Sequence, residues 1–327
     1  MLHTPVAFII FNRPDTTERV FAEIAKVRPS KLFVIADGPR PDRPGEAEKC
    51  AAARAVIDQV DWECEVVKNY ADVNLGCGRR PATGIGWLFE QVEEAIILED
   101  DCVPHFTFFR FCEELLEKYH DDERVMLISG DNFQFGRSRT PYSYYFSRYL
   151  GTWGWASWRR AWQHYDPDMK LWPTLRDTSW LLDLLGDAKA AEAWQTVFDA
   201  VHASAGSVDI WDYKWFFACW AQNGLAITPN VNLVSNVGFR EDAIHTKDAT
   251  SILSSIPTVE MRFPLWHPPA MVRHKDADHS LFDLFFPPGS SFGNRLRRIV
   301  YRALPAPVRR PISSLLRGLQ LQRRRHN

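Results

Sequence analysis

The chain has 327 residues, 46% of them hydrophobic and 24% charged, a globular composition that excludes collagen, coiled coil and wholesale disorder. The length suits about two domains of roughly 150 residues, or one large one, with core enough to need no disulfide staples. The net charge of -2 conceals an asymmetry: beyond Asp283 stand ten arginines and no acidic residue, so that end carries +10 and the rest carries -12.

In chain order, residues 5–11 form a β-rich run that ends at Asn12-Arg13-Pro14-Asp15. A helix is predicted over 16–27, with Asp15 or Thr16 as N-cap and Val20, Ile24 and Val27 on one face. Residues 32–36 read as a second strand stopped by Asp37-Gly38-Pro39, 39–45 as loop, 46–61 as an alanine-rich helix and 63–69 as a third strand. A helix over 83–92 leads to a fourth strand, 95–98, which runs straight into Glu99-Asp100-Asp101. A helix over 106–119 and a strand over 125–129 follow. Strands alternating with helices of this length predict an α/β fold with a mostly parallel central sheet flanked by helices. In such sheets ligands sit beyond the carboxyl ends of the strands. The polar residues gather there: Asn12-Arg13, Asp37-Gly38, Asn69, Glu99-Asp100-Asp101 and Gly130-Asp131-Asn132.

From about residue 140 the texture changes, and ten of the thirteen tryptophans lie between Trp153 and Trp220. This division gives a ligand-binding half over 1–135, an aromatic-walled half over 136–283 continuous with the same sheet, and a basic tail over 284–327. The tail interleaves its arginines with Leu296, Ile299, Val300, Leu304, Ile312, Leu315, Leu316, Leu319 and Leu321. A basic amphipathic segment of this kind fits an anionic lipid surface. A solvated tail is the plain alternative; nucleic acid is the poorer match, because only Tyr301 is there to stack on bases. No apolar run approaches the roughly 20 residues that span a bilayer, and no basic-then-apolar leader precedes the first strand. The expected location is therefore the cytoplasm, peripheral on its membrane face. Six cysteines without a CxxC pair argue against a zinc ribbon or a thioredoxin site and read as reduced, buried fillers.

Three adjacent carboxylates at the end of an apolar strand repel one another unless a positive charge sits among them. A hard divalent cation shared with phosphate oxygens meets that need; a solvated acidic turn is the alternative. Arg79-Arg80 beside a glycine-bearing loop suits a phosphate, since glycine lets backbone N–H groups approach it; the alternative is a surface basic pair. In Val208-Asp209-Ile210-Trp211-Asp212-Tyr213-Lys214-Trp215, a carboxylate among tryptophans has its pKa raised by lost hydration, which suits a general base. Asp209 or Asp212 can equally open the helix that follows. Of Trp153, Trp155, Trp158 and Trp162 most are expected in the core, with Trp153 or Trp155 reaching a cleft to stack on a sugar face, and Gly151 and Gly154 leaving room there.

Phe11-Asn12-Arg13-Pro14, Ala36-Asp37-Gly38, Asn74-Leu75-Gly76 with Arg79, Glu99-Asp100-Asp101 and Gly151-Thr152-Trp153-Gly154-Trp155-Ala156 together resemble the GT-A class of nucleotide-sugar glycosyltransferases. The likeness, over residues 5–250, is nearest to bacterial family-2-like transferases and more distant to N-acetylglucosaminyltransferase I. It implies that Asn12, Arg13 and Asp37 hold a base and ribose, and that Asn74, Gly76 and Arg79 lie beside the diphosphate. Glu99-Asp100-Asp101 takes the DxD role, with Asp101 on Mn²⁺ or Mg²⁺ and Glu99 and Asp100 on ribose or donor sugar. Asp212 is the implied general base, with Asp209 in reserve, and His245 a second metal ligand; a lone histidine is also commonly structural. The implied reaction moves a sugar from a UDP- or GDP-sugar to a hydroxyl of a glycan or lipid-linked acceptor, with inversion. The rival readings are a sugar nucleotidyltransferase, which lacks its lysine-bearing glycine-rich loop here, and a non-catalytic glycan binder.

Overall fold

The computed structural model describes residues 1–204, 209–239 and 251–287. His245 and most of the basic tail lie outside these residues. Its first half alternates strand and helix: β1 (Val6–Ile10), α1 (Pro14–Val27), β2 (Lys31–Ala36), α2 (Glu46–Ala55), β3 (Glu65–Tyr70), α3 (Arg79–Phe89), β4 (Glu94–Glu99), β5 (Cys102–Pro104), α4 (Phe106–Lys118) and β6 (Val125–Ser129). The second half adds β7 (Tyr144–Ser147), β8 (Trp155–Trp158), four helices α5 (Arg159–Trp162), α6 (Trp172–Leu175), α7 (Trp180–Leu185) and α8 (Ala188–Ala203), then α9 (Asp212–Ala221), β9 (Leu225–Pro229), β10 (Val234–Asn236) and α10 (Lys275–Phe285).

Eight strands form one mixed sheet in the order β3-β2-β1-β4-β8-β6-β9-β7. The β3-β2-β1-β4 portion is wholly parallel, and β8 enters antiparallel between β4 and β6. β1 and β2 are buried along almost their whole length, as parallel strands covered on both faces must be. One face packs Phe8, Val34 and Leu98 against α1 and α4. The other packs Phe33, Ile35 and Ile97 against Leu88 of α3 and Trp211 and Trp215 near α9. The helices α7 to α10 close a separate aromatic cluster around Trp194, Phe198 and Trp220. Strands from both halves of the chain thus share one sheet.

Two helix starts differ from the sequence reading. α1 begins at Pro14 rather than Thr16, because proline at the first helical position gives up no hydrogen bond and already has helical φ. Arg13 stands at the cap position without a side-chain cap, and Thr16 and Thr17 turn their hydroxyls back to its carbonyl. α3 begins at Arg79 rather than Thr83, for a reason found in the candidate site.

Candidate active site

The ends of β1 and β4 lie side by side in parallel register, Ile9 opposite Glu99, so the residues that follow both strands meet. The Arg13 guanidinium bonds Asp100 through Nη2 and reaches Asp101 Oδ2 through Nη1 at 2.9 Å. The Phe11 N–H donates to the remaining Asp100 oxygen at 3.1 Å. Burial works against the Arg13 charge, but the two aspartates outweigh it and raise the pKa. Asp100 is held at about 6, raised by burial and by Asp101 and lowered by Arg13. Glu99 is pushed up to about 8 by loss of water and then by the charges of Asp101 and Asp100, with Arg13 opposing and Asp212 adding to the rise. That Asp212 acts on Glu99 puts the first turn of α9 within electrostatic reach of the acidic triplet.

Next along the sheet, after β2, Asp37 organises the loop before α3. Its Oδ1 accepts the N–H groups of Gly38 and Leu75 at 2.9 and 2.8 Å, and its Oδ2 accepts Asn74 Nδ2 and the Gly76 N–H at 2.9 and 3.0 Å. Asn74 also donates to the Gly38 carbonyl. Asp37, Asn74 and Gly76 therefore form one closed unit that fixes the loop backbone. Gly38 is required there, because a Cβ would lie 2.5 Å from the Val73 backbone. Asn12 is likewise engaged, its amide donating to the buried Glu46 at 2.9 Å. The arginine pair divides: Arg79 is exposed at the start of α3, whereas Arg80 is buried and donates to Ala36 O and Asn69 Oδ1.

Asp209 comes to this loop from 130 residues away. Its Oδ1 accepts the N–H groups of Gly78 and Arg79 at 2.6 and 3.3 Å, and its Oδ2 faces the Cys77 thiol at 3.3 Å. A Cβ on Gly76 would stand 2.2 Å from this carboxylate, and one on Gly78 2.6 Å from it. Asp209 thus caps α3 across the fold, supplying the acceptor that Gly78 at the N-cap lacks. Of the two residues that could open α9, it is Asp212 that stands at its first position, accepting the Tyr213 N–H.

On the other side of the triplet, β10 pairs with β5 and brings the chain over Asp101. The Val237 N–H donates to the Asp101 carbonyl, and a Cβ on Gly238 would lie 2.0 Å from Asp101 Oδ2. Trp153 is half-buried, edge-on to Phe133 and Phe239 at 5.0 and 5.6 Å. Trp155 is 1% exposed, packed among Trp162, Trp211 and Trp215; it is core and presents no face to an acceptor. Gly151 and Gly154 do not leave room for a substrate either, since Asp131 fills the space at Gly151 and Val234 and Leu98 that at Gly154. Asp131 itself, a buried carboxyl at the end of β6, was legible only as one polar residue in Gly130-Asp131-Asn132.

The three carboxylates are unevenly engaged by protein partners. Asp100 is spent on Phe11 and Arg13, but Asp101 Oδ1 meets only the Cys102 thiol at 3.4 Å, and the Glu99 carboxylate makes no hydrogen bond among the described residues. A hard cation bound largely by phosphate oxygens needs only one or two protein carboxylates. Among the described residues no group of three or more His, Cys, Asp or Glu side chains is placed to hold a metal ion.

No family model and no curated protein matches the chain. Among solved structures it is similar to the mannosyltransferase PcManGT from Pyrobaculum calidifontis, in complex with GDP-Man and Mn²⁺, at 12% identity and TM-score 0.38, covering 98% of this chain and 80% of that one. It is also similar to mouse xyloside xylosyltransferase 1 at 11% identity and TM-score 0.32, covering 67% of this chain and 82% of the other. A UDP-glucose pyrophosphorylase complexed with UDP-glucose matches at 10% identity and TM-score 0.24, over 44% of this chain and 62% of the other. At such identities and scores none of these assigns a reaction to the chain.

Proposed function

We propose that the protein is a GT-A-type glycosyltransferase that moves a sugar from a UDP- or GDP-sugar to a hydroxyl of a glycan or lipid-linked acceptor. One observation carries the reading: Glu99, Asp100, Asp101, Arg13 and the start of α9 converge at the carboxyl ends of two adjacent parallel strands, where an open α/β sheet binds ligands.

Breaking the bond from the sugar C1 to the diphosphate leaves negative charge on the departing oxygen. Arg13 stands at the triplet to meet that charge, and Arg79 lies exposed at the start of α3. Mn²⁺ or Mg²⁺, held by Asp101 with Glu99 beside it, would neutralise the diphosphate. The Asp37–Asn74–Gly76 unit and the Asp209 cap hold the loop that borders the donor. Asp212 takes the proton of the acceptor hydroxyl as its oxygen bonds to C1, so the configuration inverts and a nucleoside diphosphate leaves. Asp212 stands within electrostatic reach of the triplet, as its effect on Glu99 indicates. His245 is a further metal ligand in this reading.

The +10 tail supports a peripheral position on anionic lipid, and no helix among the described residues is long and apolar enough to cross a membrane. Deleting residues 290–327 should abolish co-sedimentation with anionic vesicles.

The reaction is tested by thermal shift with UDP, GDP and CMP, with and without Mn²⁺. One nucleotide should stabilise the protein only when metal is present, and Asp101→Ala should remove that shift. Asp212→Asn should keep the shift and lose turnover of the matching sugar nucleotide; full turnover in this variant removes Asp212 as the base.

A further inference from the structure

β8 lies between β4 and β6, with Ile97 opposite Trp155 and Ser129 opposite Trp155. The paired stretch ends at Trp155, and Gly154 with φ of 68° turns the chain there. Beyond the paired stretch the chain stays with the end of β6: the Gly130 N–H donates to the Gly154 carbonyl at 2.7 Å, and the Trp153 N–H donates to Asp131 Oδ2 at 3.0 Å. The Trp153 ring is linked to the acidic triplet through Phe239, which follows Gly238, itself packed on Asp101 Oδ2.

Asp131 is 3% exposed, and among the described residues the Trp153 N–H is its one hydrogen bond and no cation pairs with it. Its Oδ1 rests on Gly151, where a Cβ would stand 1.8 Å away, and the Gly151 N–H is in turn held by Ser129 Oγ at 3.0 Å. A carboxyl group buried in this way costs stability unless something is gained from it. It holds the Trp153 end of the turn 151–153 by a hydrogen bond and packs against Gly151 at the other end. That turn ends in a half-exposed tryptophan, whose ring is boxed by Phe133 and Phe239.

We propose that Asp131 is a positioning residue for the acceptor. It pins the Gly151–Trp153 turn so that the Trp153 ring stands, with Phe133 and Phe239, as an aromatic subsite for a pyranose ring beside the acidic triplet. The proposal rests on the transferase reading, and on Trp153 being the tryptophan that meets the acceptor. Asp131 touches no reacting atom; it acts through the turn. An asparagine keeps an oxygen to accept the Trp153 N–H, whereas a leucine of similar size keeps none.

The test uses the full-length protein and methyl pyranosides as probes, read by saturation-transfer NMR, with UDP and GDP binding followed in parallel by thermal shift. Wild type and Asp131→Asn are expected to give the same pyranoside signal. Asp131→Leu and Trp153→Leu are expected to weaken it by about tenfold, the scale of a lost aromatic contact, with nucleotide binding unchanged in all four. A wild-type signal in a folded Asp131→Leu protein overturns the positioning role. If that variant does not fold, Trp153→Leu decides: an undiminished signal removes the aromatic subsite and the proposal with it. Nucleotide binding without any pyranoside signal in the wild type also overturns the proposal while sparing the transferase reading. Failure of every nucleotide to bind overturns that reading instead.

Discussion

Arg13 Nη1 and Asp101 Oδ2 are 2.9 Å apart, an ion pair that ties the ends of two neighbouring parallel strands. The counter-charge the acidic triplet needs is thus already present in the chain. A divalent cation on Asp101 has to share the site with a guanidinium, and like charges at that distance repel. Arg13→Gln should therefore bind Mn²⁺ more tightly than the wild type when no nucleotide is present, by about tenfold or more. On the proposed function the same variant should bind the nucleoside diphosphate more weakly, because it lacks the guanidinium assigned there to the phosphates. Titration calorimetry with Mn²⁺ alone and with UDP or GDP measures both. Equal Mn²⁺ affinity in the two proteins removes the competition.

Asp209 accepts the N–H groups that open α3, and this makes a structural role separable from a chemical one. Asp209→Ala leaves the helix start without its acceptor and should cost about 1–2 kcal/mol in urea unfolding, the usual worth of an N-cap. Asp209→Asn keeps one acceptor oxygen and should cost less. Turnover should survive in Asp209→Asn and vanish in Asp212→Asn. Loss of turnover in Asp209→Asn with normal stability reverses the two assignments.

The strands were legible because each parallel strand is a short apolar run between polar stops, and 125–129 is found at the residues expected. The cap of α3 was not. Arg79-Arg80-Pro81 carries no local start signal, and the residue that stabilises it lies 130 positions away. Asp131 was hidden because its burial depends on residues that fold back across the sheet, Gly151 beside it and Trp153, 22 positions on, bonded to it. Alternation along a strand places Trp153 and Trp155 on one face. Gly154, with φ of 68°, breaks that alternation, so Trp155 joins the cluster beside α9 while Trp153 packs toward the opposite face. That the acidic triplet needs a positive charge among it was legible from three adjacent acids at the end of an apolar strand, but its pairing with Arg13 depends on strand order.

Burial raises the Asp131 carboxyl from its ordinary value to about 7, the Trp153 N–H acting weakly the other way. Among the described residues, the titratable neighbour in electrostatic contact with it is the Tyr145 phenol of β7, itself pushed up by burial. The folded pKa lies above the unfolded one, so the folded protein keeps a proton that the unfolded chain releases. This contribution is whole below about pH 4 and falls as pH rises to about 7, by up to about 1.4 kcal/mol per pH unit. Above that range the loss is complete. Asp131→Asn removes the titration, so its stability relative to wild type should rise between pH 5 and 8 in urea melts. A difference that stays flat with pH excludes a buried, neutral Asp131.

Trp153 and Trp155 are two residues apart and should fail in opposite ways. Trp155 is fully enclosed by Trp162, Trp211 and Trp215, so Trp155→Ala opens a cavity in the layer between the sheet and α9 and should cost about 3–5 kcal/mol. Its indole N–H has no partner among the described residues, so no hydrogen bond is lost with it. Trp153 is half-buried, and its ring meets the edges of Phe133 and Phe239, so Trp153→Ala should cost about 1–2 kcal/mol. Turnover should follow the reverse order once stability is allowed for. Assayed well below its melting temperature, Trp155→Ala should retain its acceptor KM, while Trp153→Ala should raise the acceptor KM and leave the donor KM unchanged. A Trp153→Ala protein with an unchanged acceptor KM places the acceptor elsewhere along the cleft.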